Sequence, residues 1–137
     1  MIQAIKTFIA AYTGIESDKP IYVDKERNDA LYYSIDPLPG AKTVKKFVDG
    51  GEIREYPFAF IIEDILEDEA SRIALNQWSE NFSEWLESQT KAHVLPILES
   101  GKKAQKIEAT NWGYLYETDN EGEKGKYYIS CRLEYQI

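Results

Sequence analysis

Apolar and polar side chains alternate through "KYYISCRLEYQI", residues 126–137. Tyr127, Ile129, Cys131, Leu133 and Tyr135 fall in one phase, and Tyr128, Ser130, Arg132, Glu134 and Gln136 in the other. Successive residues of a strand point to opposite faces, so the stretch predicts a strand with one buried and one solvated side. A second alternation, Tyr56, Phe58, Phe60 and Ile62, runs through "EIREYPFAFII" at 52–62, with Arg54 ahead of it in the same phase. "TVKKFV" at 43–48 and the triplet Asp49-Gly50-Gly51 come just before. Asp-Gly tolerates the positive φ of a tight hairpin turn, and the second Gly leaves room for a bulge, so 43–62 predicts a long β-hairpin. Pro57 falls on the opposite face and has no N–H for a ladder. It predicts an edge strand or a bulge, and therefore a hairpin whose outer strand is partly unpaired within its own chain.

Two stretches change period. Ile2, Ile5, Phe8, Ile9 and Tyr12 recur at helical spacing and predict a helix over about residues 2–12 that stops near Gly14. Over about 67–90, Ala70, Ala74, Trp78, Phe82, Trp85 and Leu86 form one apolar stripe, and Glu80, Ser83, Glu84 and Glu87 face away. Shorter strands are predicted at "PIYVD", at "ALYYSIDPLPG" before Pro37 and Pro39 break it, and at "AQKIEATNWGYLYET", where Gly113 marks a bulge. "DNEGEKG" is the turn that follows. Together these predict an α+β fold: a mostly antiparallel β-sheet of about four to five strands packed against one long amphipathic helix and a shorter N-terminal helix. At 137 residues the chain is expected to form a single domain, 1–137.

Charge narrows the functions. The formal net charge is −8, and the longest basic groupings are Lys45-Lys46 and Lys102-Lys103. Holding nucleic acid through its phosphates needs clustered Lys and Arg, so specific DNA binding is not expected. The lone Cys131 excludes an intrachain disulfide and any cysteine-based zinc site, and the in-phase position predicts a buried small hydrophobe. The single His93, past the main helix, excludes a histidine metal cluster and suits a cation near a helix C-terminus. No apolar run reaches the roughly 18 residues of a membrane span. The start, "MIQAIKTFIAAYTG", lacks a basic n-region, which predicts synthesis and retention in a cytoplasm.

Candidate chemistry is sparse. "EDILEDE" at 63–69 places five carboxylates in seven residues. Paired acids are the raw material of general acid–base work or of a hard-cation site. Immediately before a helix, however, acids are stabilised by the positive helix end, and Asp64 or Asp68 would serve as the cap. The sequence contains no phosphate-binding glycine loop, no Gly-x-Ser-x-Gly elbow and no His-Glu-x-x-His. No catalytic residue, cofactor or metal is expected, and the chain is not expected to be an enzyme.

The constellation "LYYSIDPLPG…VKKFVDGGEIREYPFAF…NQWSENFSEWLESQ…LPIL…GYLYE…YYISCRLEYQ" resembles, over nearly the whole chain, a family of small virion proteins from long-tailed bacteriophages and prophages of Gram-positive bacteria. These are the minor capsid or tail-terminator type, encoded in the head–tail joining region. The acidic "IEDILEDEA" departs from the more basic or aromatic segment expected after the hairpin. The resemblance implies a homo-oligomeric ring, a hexamer in the virion, that stops tail-tube growth and joins tail to head. Its partners would be copies of itself and the tail-tube and neck proteins, with DNA passing through an acidic lumen without specific binding. Asp49, Gly50, Gly51, Arg54, Glu55 and Pro57 are the expected subunit or partner interface. Alternatives are another neck component, such as a head-completion or connector protein, and a host-protein-binding module that uses its Tyr- and Trp-rich face.

Overall fold

The computed structural model describes residues 1–15, 21–23, 32–40, 42–65, 69–111, 114–118 and 124–137. In chain order the elements are α1 (Ile2–Ala10), β1 (Ile21–Val23), β2 (Tyr32–Pro37), β3 (Lys42–Lys46), β4 (Glu52–Ile65), α2 (Glu69–Lys91), β5 (Lys103–Ala109), β6 (Tyr114–Thr118) and β7 (Lys124–Gln136). The fold is α+β, as the two periodicities predict.

Two long strands form the spine of the sheet. β4 and β7 pair antiparallel from Ile53↔Gln136 to Ile65↔Lys124. Each is long enough to carry two shorter neighbours on its other edge. β3 pairs with Glu52–Glu55 of β4 and β2 with Phe58–Glu63. β5 pairs with Cys131–Gln136 of β7, and β6 with Gly125–Tyr128. β1 adds to β2 in parallel, so the continuous path β1-β2-β4-β7-β5 has five strands, and β3 and β6 bring the described total to seven.

Pro57 is not at an edge. β7 lies along one side of it, with Arg132 as its register partner, while β3 ends at Glu55 and β2 begins at Phe58 on the other. The N–H of Leu38 donates to the Pro57 carbonyl at 3.0 Å. A residue's N–H and C=O point to the same edge of its strand, so the missing donor of Pro57 faces the exit of β2. A proline is tolerated inside a sheet where the neighbouring strand changes. The expectation of a partly unpaired outer strand is corrected accordingly: β4 is central, and β3 is the exposed member of the hairpin.

Both helices cover one face of the sheet. Ile5 and Ile9 of α1 and Leu75, Phe82 and Leu86 of α2 share a core with Tyr33, Ile35, Phe58, Phe60, Ile62, Ile107, Ile129 and Leu133. At its centre Phe82 stacks on Phe60 (4.9 Å between centroids) and Trp78 (5.3 Å), and Tyr12 lies against Trp85 (4.8 Å). Such ring pairs contribute about 0.5–1.5 kcal/mol each beyond the area they bury. The Trp78 indole N–H donates to the Gly14 carbonyl at 3.0 Å and ties the end of α1 to α2.

The α2 stripe sits one position away from the predicted one at its N-terminal half. Ala74 is exposed, and Leu75 and Ser79 are buried in its place, the Ser79 hydroxyl donating to the Leu75 carbonyl at 3.1 Å. Ser83, predicted to face away, is half-buried. Asp64 is not a helix cap, because β4 continues to Ile65. Asp68, the other proposed cap, lies outside the described residues, as do Gly113 and most of the "DNEGEKG" turn. Cys131 is buried as expected, and burial pushes its thiol pKa well above the ordinary value.

α2 ends in a tight double-bonded turn. The His93 N–H donates to the Thr90 carbonyl at 3.1 Å and the Val94 N–H to the Gln89 carbonyl at 2.9 Å. This is the Schellman pattern, whose left-handed position is usually Gly. Here His93 occupies it, at φ +58°.

Candidate functional site

The face of the sheet turned away from the helices is buried at Ala59, Ile61 and Glu63 and carries charge toward its β3–β5 end. Alternation along β4 and β7 sends Glu55, Pro57, Ala59, Ile61 and Glu63 to that side, opposite Glu134, Arg132, Ser130, Tyr128 and Lys126. Its centre is Arg132. The guanidinium reaches the Glu55 carboxylate on β4 at 3.3 Å, the Glu108 carboxylate on β5 at shorter range, and lies 3.9 Å from Glu134. Lys42 on β3 extends the row to Glu55 at 3.5 Å, and Lys106 closes it on Glu108 at 3.1 Å. The result is an alternating line, Lys42–Glu55–Arg132–Glu108–Lys106, across four strands.

Burial alone would raise the Glu108 pKa, but hydrogen bonds from Arg132 and Lys106 outweigh it and leave the carboxyl below its ordinary value. The hydrogen bond to Glu108 is also the main reason the Arg132 pKa is raised. Lys42 and Lys106 at the two ends of the line are exposed, where an ion pair contributes about 0–1 kcal/mol. Glu55, Arg132 and Glu108 in the middle are half-buried. Arg132 Nε and Glu63 Oε2 are buried and find no hydrogen-bond partner among the described residues.

The six residues expected to form an interface divide into two groups. Asp49, Gly50 and Gly51 make the hairpin turn: Asp49 Oδ1 accepts from the Gly51 N–H at 3.1 Å, the Phe47 N–H donates to the Gly51 carbonyl at 2.7 Å, and Gly50 takes φ +95°. That conformation is open to glycine and strained for most other residues. Arg54, Glu55 and Pro57 are instead engaged within the chain. Arg54 Nε donates to Glu52 at 2.8 Å, a bond that holds the Glu52 carboxyl below its usual range. Glu55 takes Lys42 and Arg132, and Pro57 sits in the sheet interior.

What stands open at this end is β3. All five of its residues are exposed, and it pairs with β4 alone among the described strands. Val44 is half-exposed and Val48, at the turn, fully so. The opposite margin is different. β5 lies under the last turns of α2, and the Thr90 hydroxyl meets both backbone groups of Ile107. Beside it, Glu84, Glu87, Lys106, Glu108 and Asn111 line a cleft of about 530 Å³ between helix and strand.

Sequence reasoning missed Arg132, Glu108, Lys106 and Thr90 as members of a site. The alternation places Arg132 and Glu134 outward, but nothing local says that β5 lies beside β7.

Among the described residues, no cluster of three or more His, Cys, Asp or Glu is arranged to hold a metal ion, and no helix is long and apolar enough to cross a membrane. No family model and no curated protein matches the chain. A solved structure is similar: it is 10% identical, the match covers 98% of this chain and 89% of that one, and the TM-score is 0.53. A likeness at that identity shows a shared fold.

Proposed function

We propose that the chain is a structural protein of the head–tail joining region of a long-tailed phage or prophage, a tail terminator that forms a ring on the tail tube and joins it to the head in the virion. The observation that supports it best is the open strand β3, exposed at every position and without a described partner on its outer edge. An uncovered edge is a liability in a monomer. It is an asset in an assembly, where a head-to-tail contact closes into a ring if the rotation permits. The α+β architecture, a mostly antiparallel sheet covered on one face by helices, is the one the sequence resemblance implies. The formal charge of −8 suits a channel that lets DNA slide past without sticking. Within this reading the chain has no reaction centre and takes no cofactor.

Two measurements test it. Purified protein examined by sedimentation and by negative-stain microscopy is expected to form closed rings, and a phage lacking the gene is expected to make tails of uncontrolled length. Normal tails in the deletion would remove the terminator role and leave a neck connector. A strictly monomeric chain that captures a host protein would replace both with a binding module.

A further inference from the structure

We propose that β3 of one copy docks in the cleft between α2 and β5 of the next; this rests on the ring reading and names the two surfaces that make it. β3 carries Lys42, Lys45 and Lys46 among its five residues. Two such edges laid side by side would bring like charges together, which is destabilising, so β3 does not pair with its own copy. Its partner surface has to be acidic.

That surface exists on the same chain. Glu80, Glu84 and Glu87 are exposed on one face of α2, at spacings of four and three residues, where like charges repel. Within the adjoining cleft Lys91 is matched by Glu87 at 3.1 Å and Lys106 by Glu108 at 3.1 Å. Glu84 meets no cation at ion-pair distance among the described residues. Lys45 and Lys46 likewise have no carboxylate at ion-pair distance among those residues, and Lys45 rests over the Phe47 ring at 5.2 Å.

The placement is also correct for a chain of contacts. In the row β3-β4-β7-β5 the lysine strand is at one margin and the cleft at the other. Each copy therefore presents a donor on one side and a receiver on the other, the arrangement a head-to-tail ring needs. Strand addition onto β5 itself is blocked where Thr90 occupies the Ile107 backbone, so β3 enters as side chains in the cleft and not as a new ladder.

Charge reversal tests the contact. Lys45→Glu with Lys46→Glu, and separately Glu84→Lys with Glu87→Lys, are each expected to weaken self-association about tenfold or more, measured by sedimentation. All four side chains are exposed, so thermal unfolding of the subunit should be little changed. An equal mixture of the two variants restores opposite charges at every contact and is expected to recover wild-type association. The wild-type interaction should also weaken from about 0.1 M to about 1 M salt, as the screening length falls from about 10 Å to about 3 Å. Rings unaffected by the reversals, or a mixture that fails to recover, would overturn this contact and leave the ring standing. A wild-type chain that never self-associates would overturn both.

Discussion

The Thr90 hydroxyl closes the backbone of Ile107 from the side: it accepts the Ile107 N–H at 3.1 Å and donates to the Ile107 carbonyl at 2.7 Å. One side chain in the last turn of α2 thus satisfies both outward groups of an edge strand. Lone edges invite pairing with other chains, and covering them is a recurrent remedy.

Replacing that residue by Val keeps the shape and removes both bonds. Thr90→Val is expected to destabilise the fold by about 1–3 kcal/mol, since two polar backbone groups lose their partner. Denaturant unfolding measures this. A loss below about 0.5 kcal/mol, within the noise of ordinary surface changes, would mean the hydroxyl is dispensable to the edge.

Phe82 is fully buried and touches the rings of Tyr12, Phe60, Trp78 and Trp85. Phe82→Ala is expected to cost about 3–5 kcal/mol, enough to leave a marginal domain partly unfolded at 25 °C. Near-ultraviolet circular dichroism should lose intensity in step, because the tryptophans lose their fixed surroundings. Unchanged stability would place the core elsewhere.

Glu108 gives an acid-dependent term. Its pKa is lower in the folded chain than the ordinary 4.5, so the folded state releases this proton more readily than the unfolded one. The stability it contributes is complete above the ordinary value and is lost as pH falls through the folded value. Glu108→Gln is therefore expected to flatten the acid limb of the stability curve below about pH 5, by about 1 kcal/mol or less because the pair is partly solvated. A mutant with an unaltered acid limb would show that Arg132 holds Glu108 no better in the folded chain than water does.

His93 is strained by its backbone and not by its neighbours. A left-handed conformation costs an L-residue about 1–2 kcal/mol that Gly largely avoids, and Gly gives back some of this in unfolded-chain entropy. His93→Gly is expected to stabilise the protein by up to about 1 kcal/mol in thermal or denaturant unfolding. A destabilised variant would show that the imidazole makes a contact of its own.

What was legible in the sequence follows from how local each signal is. β7 was readable because its two faces differ in polarity along most of its length, β4 because its aromatic positions recur at every second residue, and Asp49-Gly50-Gly51 because a tight turn demands particular backbone angles. Pro57 misled because the rule about proline and sheet edges assumes one neighbour per edge. β4 has two, and the missing N–H falls in the gap between them. The α2 stripe slipped because small residues carry little information: Ala74 and Ser79 say almost nothing about which side faces the core, and Leu75 decides it. Asp64 looked like a cap because acids before a helix usually are, but the β4 ladder extends through it. Of the candidate site, the turn at Asp49-Gly50-Gly51 was legible, but which strand of the hairpin stands open was not. The line from Lys42 through Arg132 to Lys106 depends on four strands meeting and has no local signature.

The β4–β7 spine also dictates an order of events at the ribosome. Residues 52–65 emerge long before 124–136, so β4 lacks its longest partner until β7 is made. Pairings between distant segments form slowly and leave apolar strands open to other nascent chains. Truncation before residue 124 therefore yields a polypeptide prone to clump or to be captured by chaperones, and β7 is the strand whose arrival covers the full length of β4.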